Sequence, residues 1–227
     1  MSTQPPPSSL PAIGVTHRSL REQVADAIRE RIATGELPPG TWLVERTLAA
    51  ELQVSRVPVR DALHLLKGEG FVTEVPGRGV IVTRLSGTDV TELFDVREAL
   101  EVLTVRLATQ HADATEVARL KERLDASAEA IQAEDSAAIG RCNQDFHDAI
   151  TAMAHNELLA SLLEPLEGRL HWLLRQNTDP HLLHEEHVAL YEAIAAGDPE
   201  AAARSSLSHV QTSRTICLDL LDAHPPT

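Results

Sequence analysis

The chain has 227 residues, enough for two domains of ordinary size. Its 43% hydrophobic and 24% charged residues exclude a mostly disordered or fibrous protein, and its 3% aromatic residues favour helix packing over a β-sandwich. The formal net charge of −14, taken alone, argues against a nucleic-acid binder, because duplex binding depends on basic side chains.

The acidic charge is confined to one part of the chain. Residues 1–86 carry a net charge of +1, whereas residues 87–227 carry −15. No apolar stretch is long enough to span a bilayer and no secretory signal pattern is present, so we expect a cytoplasmic protein without a membrane partner. Cys142 and Cys217 are expected to be buried thiols without a functional role.

The sequence predicts a flexible tail over residues 1–16 and a first domain over residues 17–86. An i, i+4 stripe of Leu20, Val24, Ile28 and Ile32 predicts an amphipathic helix. Further helices are predicted at 45–52 and at 56–67, the latter N-capped by Ser55, and two strands at 71–75 and 80–84. This order is that of a helix-turn-helix followed by a β-hairpin.

Residues 87–223 are predicted to form a second domain that is entirely helical. The six predicted helices are 88–110, 114–132, 135–154, 156–175, 180–196 and 199–222. We therefore expect a mainly α protein, with a winged helix-turn-helix domain followed by an antiparallel six-helix bundle.

The helix predicted at 56–67 has one apolar and one basic face. The apolar side carries Val59, Ala62, Leu65 and Leu66, and the other carries Arg56, Arg60, His64 and Lys67. Such a face can be merely solvated, but after a short helix and a tight turn it also suits the major groove of DNA. Arg46 is placed for a phosphate contact, and Arg78 lies between Gly77 and Gly79 at the predicted hairpin tip.

Three histidines lie on predicted apolar faces of different bundle helices: His147, His187 and His209. Asn143 lies one turn before His147, so the two side chains can share a cavity. Each histidine, considered singly, is more simply explained as a hydrogen-bonded core residue. Three together favour a common partner, and a divalent metal ion such as Zn²⁺, Ni²⁺ or Mn²⁺ would supply it.

The first domain resembles the winged helix-turn-helix of the GntR family of bacterial transcription regulators. The resemblance covers residues 20–85, and its most specific stretch is VSRVPVRDALHLLKGEGFV. It implies that Arg46, Arg56, Arg60 and the wing tip formed by residues 77–79 contact operator DNA. Val57 departs from the pattern, because many members carry Thr there, so one polar contact is lost.

Residues 90–220 resemble the FCD ligand-binding domain of the FadR subfamily, and six helices rather than seven resemble its VanR-like branch. The matching stretches include DVREALE, NQDFHDAI and HVALYEAIAAGDPEAA. The resemblance implies metal ligation by Asn143, His147, His187 and His209, where Asn replaces a more common Asp and lowers the negative charge. It also implies that Arg97 holds an effector carboxylate, whereas spacing alone equally allows a surface ion pair with Glu101.

These patterns together predict a transcription regulator rather than an enzyme. We expect a homodimeric repressor that binds double-stranded DNA at a pseudo-palindromic operator and responds to a small organic or sugar acid. Two alternatives remain at this point: a DNA-binding dimer whose metal is purely structural, and a metal-dependent hydrolase or lyase. The second lacks a candidate general base tied to the histidines by helical spacing.

Overall fold

A computed structural model describes residues 19–174 and 179–223, without the side chains of residues 171, 172 and 223. The predicted tail at 1–16 lies outside the described residues. The elements of the first domain are α1 (Leu20–Ala33), β1 (Trp42–Leu43), α2 (Glu45–Glu51), α3 (Arg56–Gly68), β2 (Val72–Val75) and β3 (Gly79–Val82). The predicted helix-turn-helix with a wing is therefore confirmed.

The first domain is held together by the apolar faces of its helices. Ser19 and Glu22 form a capping box that begins α1, and Val24, Ile28 and Ile32 are buried in the core, whereas Leu20 at the start of the stripe is half exposed. Ser55 occupies the N-cap position of α3, although its side chain makes no capping hydrogen bond. On α3 the buried residues include Leu63, while the predicted Leu65 is only partly buried.

The wing contains a third strand that the sequence pattern did not predict. The sheet order is β1-β3-β2, and β1 pairs antiparallel with β3 through Trp42 opposite Ile81. The predicted hairpin of β2 and β3 is confirmed, whereas β1 was missed because it is only two residues long, too short to show an alternating pattern. The turn between β2 and β3 uses Gly77 and Gly79, both at positive φ, where a side chain would be strained.

Six helices form the second domain within the described residues, as predicted. They are α4 (Gly87–His111), α5 (Ala114–Gln132), α6 (Ser136–Met153), α7 (Glu157–Leu174), α8 (Pro180–Ala195) and α9 (Pro199–Ala223). Side-chain oxygens of Ser86, Asp113, Asp135 and Asp179 accept hydrogen bonds from the first turns of four of them. Among the described residues no helix is long and apolar enough to cross a bilayer.

The helices α4 and α9 pack closely along each other, and α9 also packs on α8. Small buried residues of α9, among them Ala202, Ser206 and Ser213, permit this close approach. The three helices α6, α8 and α9 each direct one histidine into the same part of the bundle. This convergence positions the candidate metal site.

The two domains touch where the end of α3 meets α7. A Cβ built on Gly70, after α3, would lie 2.3 Å from the carbonyl oxygen of Pro165. A groove of about 700 Å³ runs along this contact and is lined by residues of both domains, including Arg29, Glu69, Gln144 and Glu167.

Candidate functional site

The exposed face of α3 carries the predicted basic residues. Arg56, Arg60, His64 and Lys67 are all exposed, while Val59, Ala62 and Leu66 on the opposite side are fully buried. Because the buried side fixes the rotation of α3 on its own domain, the arginines can point only outward. The α3 helix therefore presents a fixed basic face.

One groove of about 610 Å³ joins this face to the wing. Its lining includes Arg46 at the start of α2, Arg56 and Arg60 on α3, and Arg78 with Gly79 at the wing tip. Gly77 lies in the same turn, one residue before Arg78. The structure thus brings the predicted DNA-contacting residues to one surface, and their contact with DNA remains a prediction.

Glu45 lies among these basic residues and was not predicted to take part. Its carboxylate accepts hydrogen bonds from Arg60 Nε at 2.8 Å and Nη2 at 2.9 Å, and from Arg56 Nη2 at 3.0 Å. The hydrogen bond from Arg60, reinforced by Arg56, lowers the pKa of Glu45 to about 2. An ionised carboxylate therefore links the two arginines that are one helical turn apart on α3.

Three imidazole rings meet inside the bundle. The ring centroids are 5.0 Å apart for His147 and His187, 5.1 Å for His147 and His209, and 4.7 Å for His187 and His209. One nitrogen from each ring lies within 4.8 Å of the other two. His187 and His209 are buried, and the ring of Phe146 stacks on His187 with a centroid distance of 4.4 Å.

The environment keeps two of these imidazoles neutral. Desolvation, together with the nearby His209 and Arg97, lowers the pKa of His147 well below its ordinary value. Desolvation, together with His209 and His147, does the same to the pKa of His187. The Nε2 atom of His187 is buried and has no hydrogen-bond partner among the described residues. Neutral rings with a free nitrogen are the form in which histidine binds metal.

Asn143 lies on α6, one turn before His147, and its side chain is partly buried. This placement is compatible with the oxygen ligand that the family resemblance implies. The three histidines are the residues that the structure brings together, and ligation by Asn143 stays a prediction.

Arg97 is buried on α4, with only 2% of its surface exposed. Its guanidinium lies 5.3 Å from the ring centroid of Phe94 and forms an ion pair with Glu101, itself buried. Within the described residues, Arg97 Nε and Nη1 are not aligned with any hydrogen-bond acceptor. Spacing alone allowed an ion pair on the surface, and that expectation is wrong. Arg97 and Glu101 do form an ion pair, but on the face of α4 that packs into the bundle.

Matches to family models cover most of the chain. The FCD domain model matches residues 92–212, and the model of the gntR family of bacterial regulatory proteins matches residues 20–82. The chain belongs to the GntR family of bacterial regulatory proteins. Both resemblances, of the first part of this GntR regulator to a GntR winged helix-turn-helix and of the second to an FCD domain, are confirmed.

Full-length relatives and a solved structure agree with the family assignment. The chain is 32% identical to the HTH-type transcriptional regulator YdhC of Bacillus subtilis, over 82% of this chain and 86% of that protein. It is 25% identical to the HTH-type transcriptional repressor RspR of Escherichia coli, over 85% and 86% of the respective chains. The solved structure of E. coli McbR/YncC is 26% identical and has a TM-score of 0.78, covering 90% of this chain and 99% of that chain.

This GntR regulator is thus a DNA-binding transcription regulator and not an enzyme. The alternative of a metal-dependent hydrolase or lyase was wrong, since the family and the relatives are transcription regulators.

Two carboxylates near the histidines were missed by sequence reasoning. Glu186 contacts His209 from α8, and Glu167 on α7 lines a small cavity together with His147 and Glu101. Burial, together with Glu101 and Asp148 and against the opposing effect of Arg97, raises the pKa of Glu167 to about 7. The only sequence signal for Glu186 was its position directly before His187.

Proposed function

We propose that this regulator is a homodimeric repressor whose operator affinity is controlled by a small organic or sugar acid bound at a metal site in the bundle. The observation that carries the proposal is the convergence of three imidazoles, one with a free buried Nε2, beside the buried guanidinium of Arg97. Operator DNA in the bacterial cytoplasm is the proposed macromolecular partner.

DNA recognition is assigned to α3 and the wing. Arg56 and Arg60 can reach base edges or phosphates in the major groove, since both are exposed on the face of α3 that points away from the core. Arg46 adds a phosphate contact, and Arg78 with Gly77 and Gly79 can follow the neighbouring groove. Two such domains in a dimer fit a pseudo-palindromic operator.

The donor set fits a divalent ion. Neutral imidazole nitrogens are good ligands for Zn²⁺, Ni²⁺ and Mn²⁺, and the free Nε2 of His187 would otherwise be an unsatisfied buried polar atom. His147, His187 and His209 would hold the ion, and the carboxamide oxygen of Asn143 would be a fourth ligand. A bound ion would supply a positive charge to which a carboxylate ligand can bind.

Arg97 gives the effector its proposed chemical class. The buried guanidinium of Arg97 is paired with one carboxylate, that of Glu101, and still has N–H donors for a second carboxylate. A carboxylate effector would therefore be attracted by the metal ion on one side and by Arg97 on the other. Hydroxyl groups of a sugar acid could donate to Glu101 or Glu167, which lie together on the cavity wall beside His147.

Metal analysis and ligand screening test this proposal. Purified protein should contain or take up one divalent ion per chain, and His147→Ala should lose it, while the exposed His181 supplies the matched control His181→Ala. A thermal-shift screen of small carboxylic acids should then yield a stabilising compound that also changes operator affinity. A protein that takes up no ion contradicts the metal assignment.

The second candidate function is a DNA-binding dimer with a structural ion and no effector. The small size of the cavity beside His147, about 10 Å³, favours it, because that volume holds about one water molecule. An effector would then have to open the bundle on binding. Ion uptake without any stabilising acid in the screen would support this second candidate.

A further inference from the structure

Glu186 makes the best-defined polar contact with the histidine cluster. Its Oε2 lies 2.9 Å from His209 Nδ1, and its Oε1 accepts a hydrogen bond from Thr212 Oγ1 at 2.6 Å. From this geometry we infer that Glu186, clamped by Thr212, is a positioning residue that holds His209 ready to bind the metal ion through Nε2. This inference rests on the metal site proposed above.

The direction of the hydrogen bond follows from the charge of Glu186. Glutamate is ordinarily ionised at neutral pH, and the two oxygens of Glu186 face two groups that can donate, the His209 ring and the Thr212 hydroxyl. An ionised carboxylate can only accept, and therefore Nδ1 of His209 carries the proton and donates it. The lone pair of a neutral His209 ring is then on Nε2, on the other side of the ring.

Thr212 limits the freedom of the carboxylate. It lies three residues after His209 on α9, so both residues face the same side of that helix, toward α8. Each oxygen of Glu186 accepts one hydrogen bond from α9, and turning the carboxylate would break both contacts. The His209 ring is itself buried, with 2% of its surface exposed, so its orientation is restricted by packing as well.

The charge of Glu186 also suits this particular donor set. The proposed ligands are three imidazoles and the carboxamide of Asn143, all neutral, around an ion with two positive charges. A carboxylate hydrogen-bonded to a ligating imidazole makes that imidazole a stronger donor and places compensating negative charge near the ion. In this chain Glu186 therefore supplies charge that the Asn143 position does not.

The test is the affinity of the full-length protein for Zn²⁺, measured at fixed pH by competition with a chromogenic chelator. We expect Glu186→Ala to weaken Zn²⁺ binding about 10–100-fold, and Glu186→Gln, which keeps an acceptor oxygen but no charge, to have an intermediate effect. Thr212→Val should weaken binding less than either change at Glu186. The neighbouring exposed Glu185 gives the matched control, and Glu185→Gln should bind Zn²⁺ like the wild type.

A second readout separates positioning from a general structural role. In metal-free protein, ¹⁵N NMR of the imidazoles should show His209 as the Nδ1–H tautomer, and Glu186→Ala should shift it toward a mixture of tautomers. Unchanged Zn²⁺ affinity in both Glu186 variants would overturn the inference, as would an Nε2–H tautomer in the wild type.

The failure of this inference can be distinguished from failure of the proposed metal site. His209→Ala removes a ligand and should abolish high-affinity Zn²⁺ binding. If the wild type and His209→Ala bind Zn²⁺ equally, the proposed metal site is contradicted, and so is the inference about Glu186. If His209→Ala loses binding while the Glu186 variants keep it, the metal site stands and only the role of Glu186 is wrong.

Discussion

Gly168 of α7 lies directly against the backbone carbonyl of Glu69, just after α3: a Cβ added to Gly168 would lie only 1.7 Å from that oxygen. The next residue back along α7, Glu167, lines the cavity beside His147 and accepts a hydrogen bond from Gln144 at 3.3 Å. Of two successive residues of one helix, Gly168 thus contacts the DNA-binding domain and Glu167 lines the candidate effector site. A change in the position of α7 would therefore alter both the contact with Glu69 and the wall of the cavity beside His147.

Gly168→Ala should loosen the contact between the domains. The methyl group cannot be accommodated against a backbone oxygen, so α7 and the end of α3 must separate, at an expected loss of about 1–3 kcal/mol in the free energy of unfolding. Amide hydrogen exchange around residues 69–71 should become faster, which mass spectrometry can measure. Gly68→Ala is the matched control, since an added Cβ at Gly68 meets nothing within 4 Å. Equal exchange in the two variants would contradict the predicted role of Gly168.

Arg60→Ala should weaken operator binding by about 1–3 kcal/mol per half-site while leaving the fold intact. Arg60 is exposed and pairs with Glu45 at the surface, so its loss removes the proposed DNA contact together with an ion pair that contributes little to stability. Fluorescence anisotropy with an operator selected from random DNA measures the effect, and Arg56→Ala should behave alike. Arg106, a partly exposed arginine of the bundle that pairs with Glu200, gives the control Arg106→Ala. Unchanged operator affinity in both α3 variants would overturn the assignment of the reading helix.

Glu45→Gln should reduce the specificity of DNA binding. The ionised carboxylate holds the guanidinium of Arg60 through two hydrogen bonds and repels phosphates that approach in the wrong position. Without that charge, we expect affinity for random duplex DNA to rise and the preference for operator to fall by about 1 kcal/mol, the upper range for an exposed ion pair. Titrations with operator and scrambled duplex at several salt concentrations measure both affinities. If affinity rises equally for both duplexes, the preference for operator is unchanged. Glu45 then weakens binding to any duplex through its charge, and the predicted role in specificity is wrong.

The sequence predicted those features that depend on periodicity within one helix. The basic face of α3 and the inward direction of His147, His187 and His209 follow from the helical repeat, and the structure has them as expected. Spacing could not decide whether Arg97 and Glu101 face solvent or core, because an i, i+4 pair looks the same on either face of α4.

Contacts between elements were not predictable in the same way. The clamp of Glu186 by His209 and Thr212 joins α8 to α9, and the link from Glu45 to the α3 arginines joins α2 to α3. Each depends on how two helices pack, which a pattern within one helix does not encode. The two-residue strand β1 was missed for a related reason, since only its pairing with β3 defines it as a strand.

Glu167→Gln should change the pH dependence of stability. Burial, with Glu101 and Asp148 nearby, raises the pKa of Glu167 from 4.5 to about 7, even though Arg97 and Gln144 favour the ionised form. An acid whose pKa is higher in the folded state holds its proton more tightly there, so the wild type loses stability as the pH rises from about 4.5 to about 7. The Gln variant does not titrate and keeps its stability over this window.

The expected difference is therefore small at pH 5 and largest at pH 8, where Glu167→Gln should be more stable than the wild type by about 2–3 kcal/mol. Urea unfolding of the metal-free proteins at both pH values measures it. Glu164, an exposed carboxylate of the same helix, provides the control Glu164→Gln, which removes a solvated charge and should leave the free energy of unfolding close to that of the wild type at both pH values. A Glu167→Gln variant that is less stable than the wild type at pH 8 would show that the ionised carboxylate is stabilised by Arg97 more than burial destabilises it.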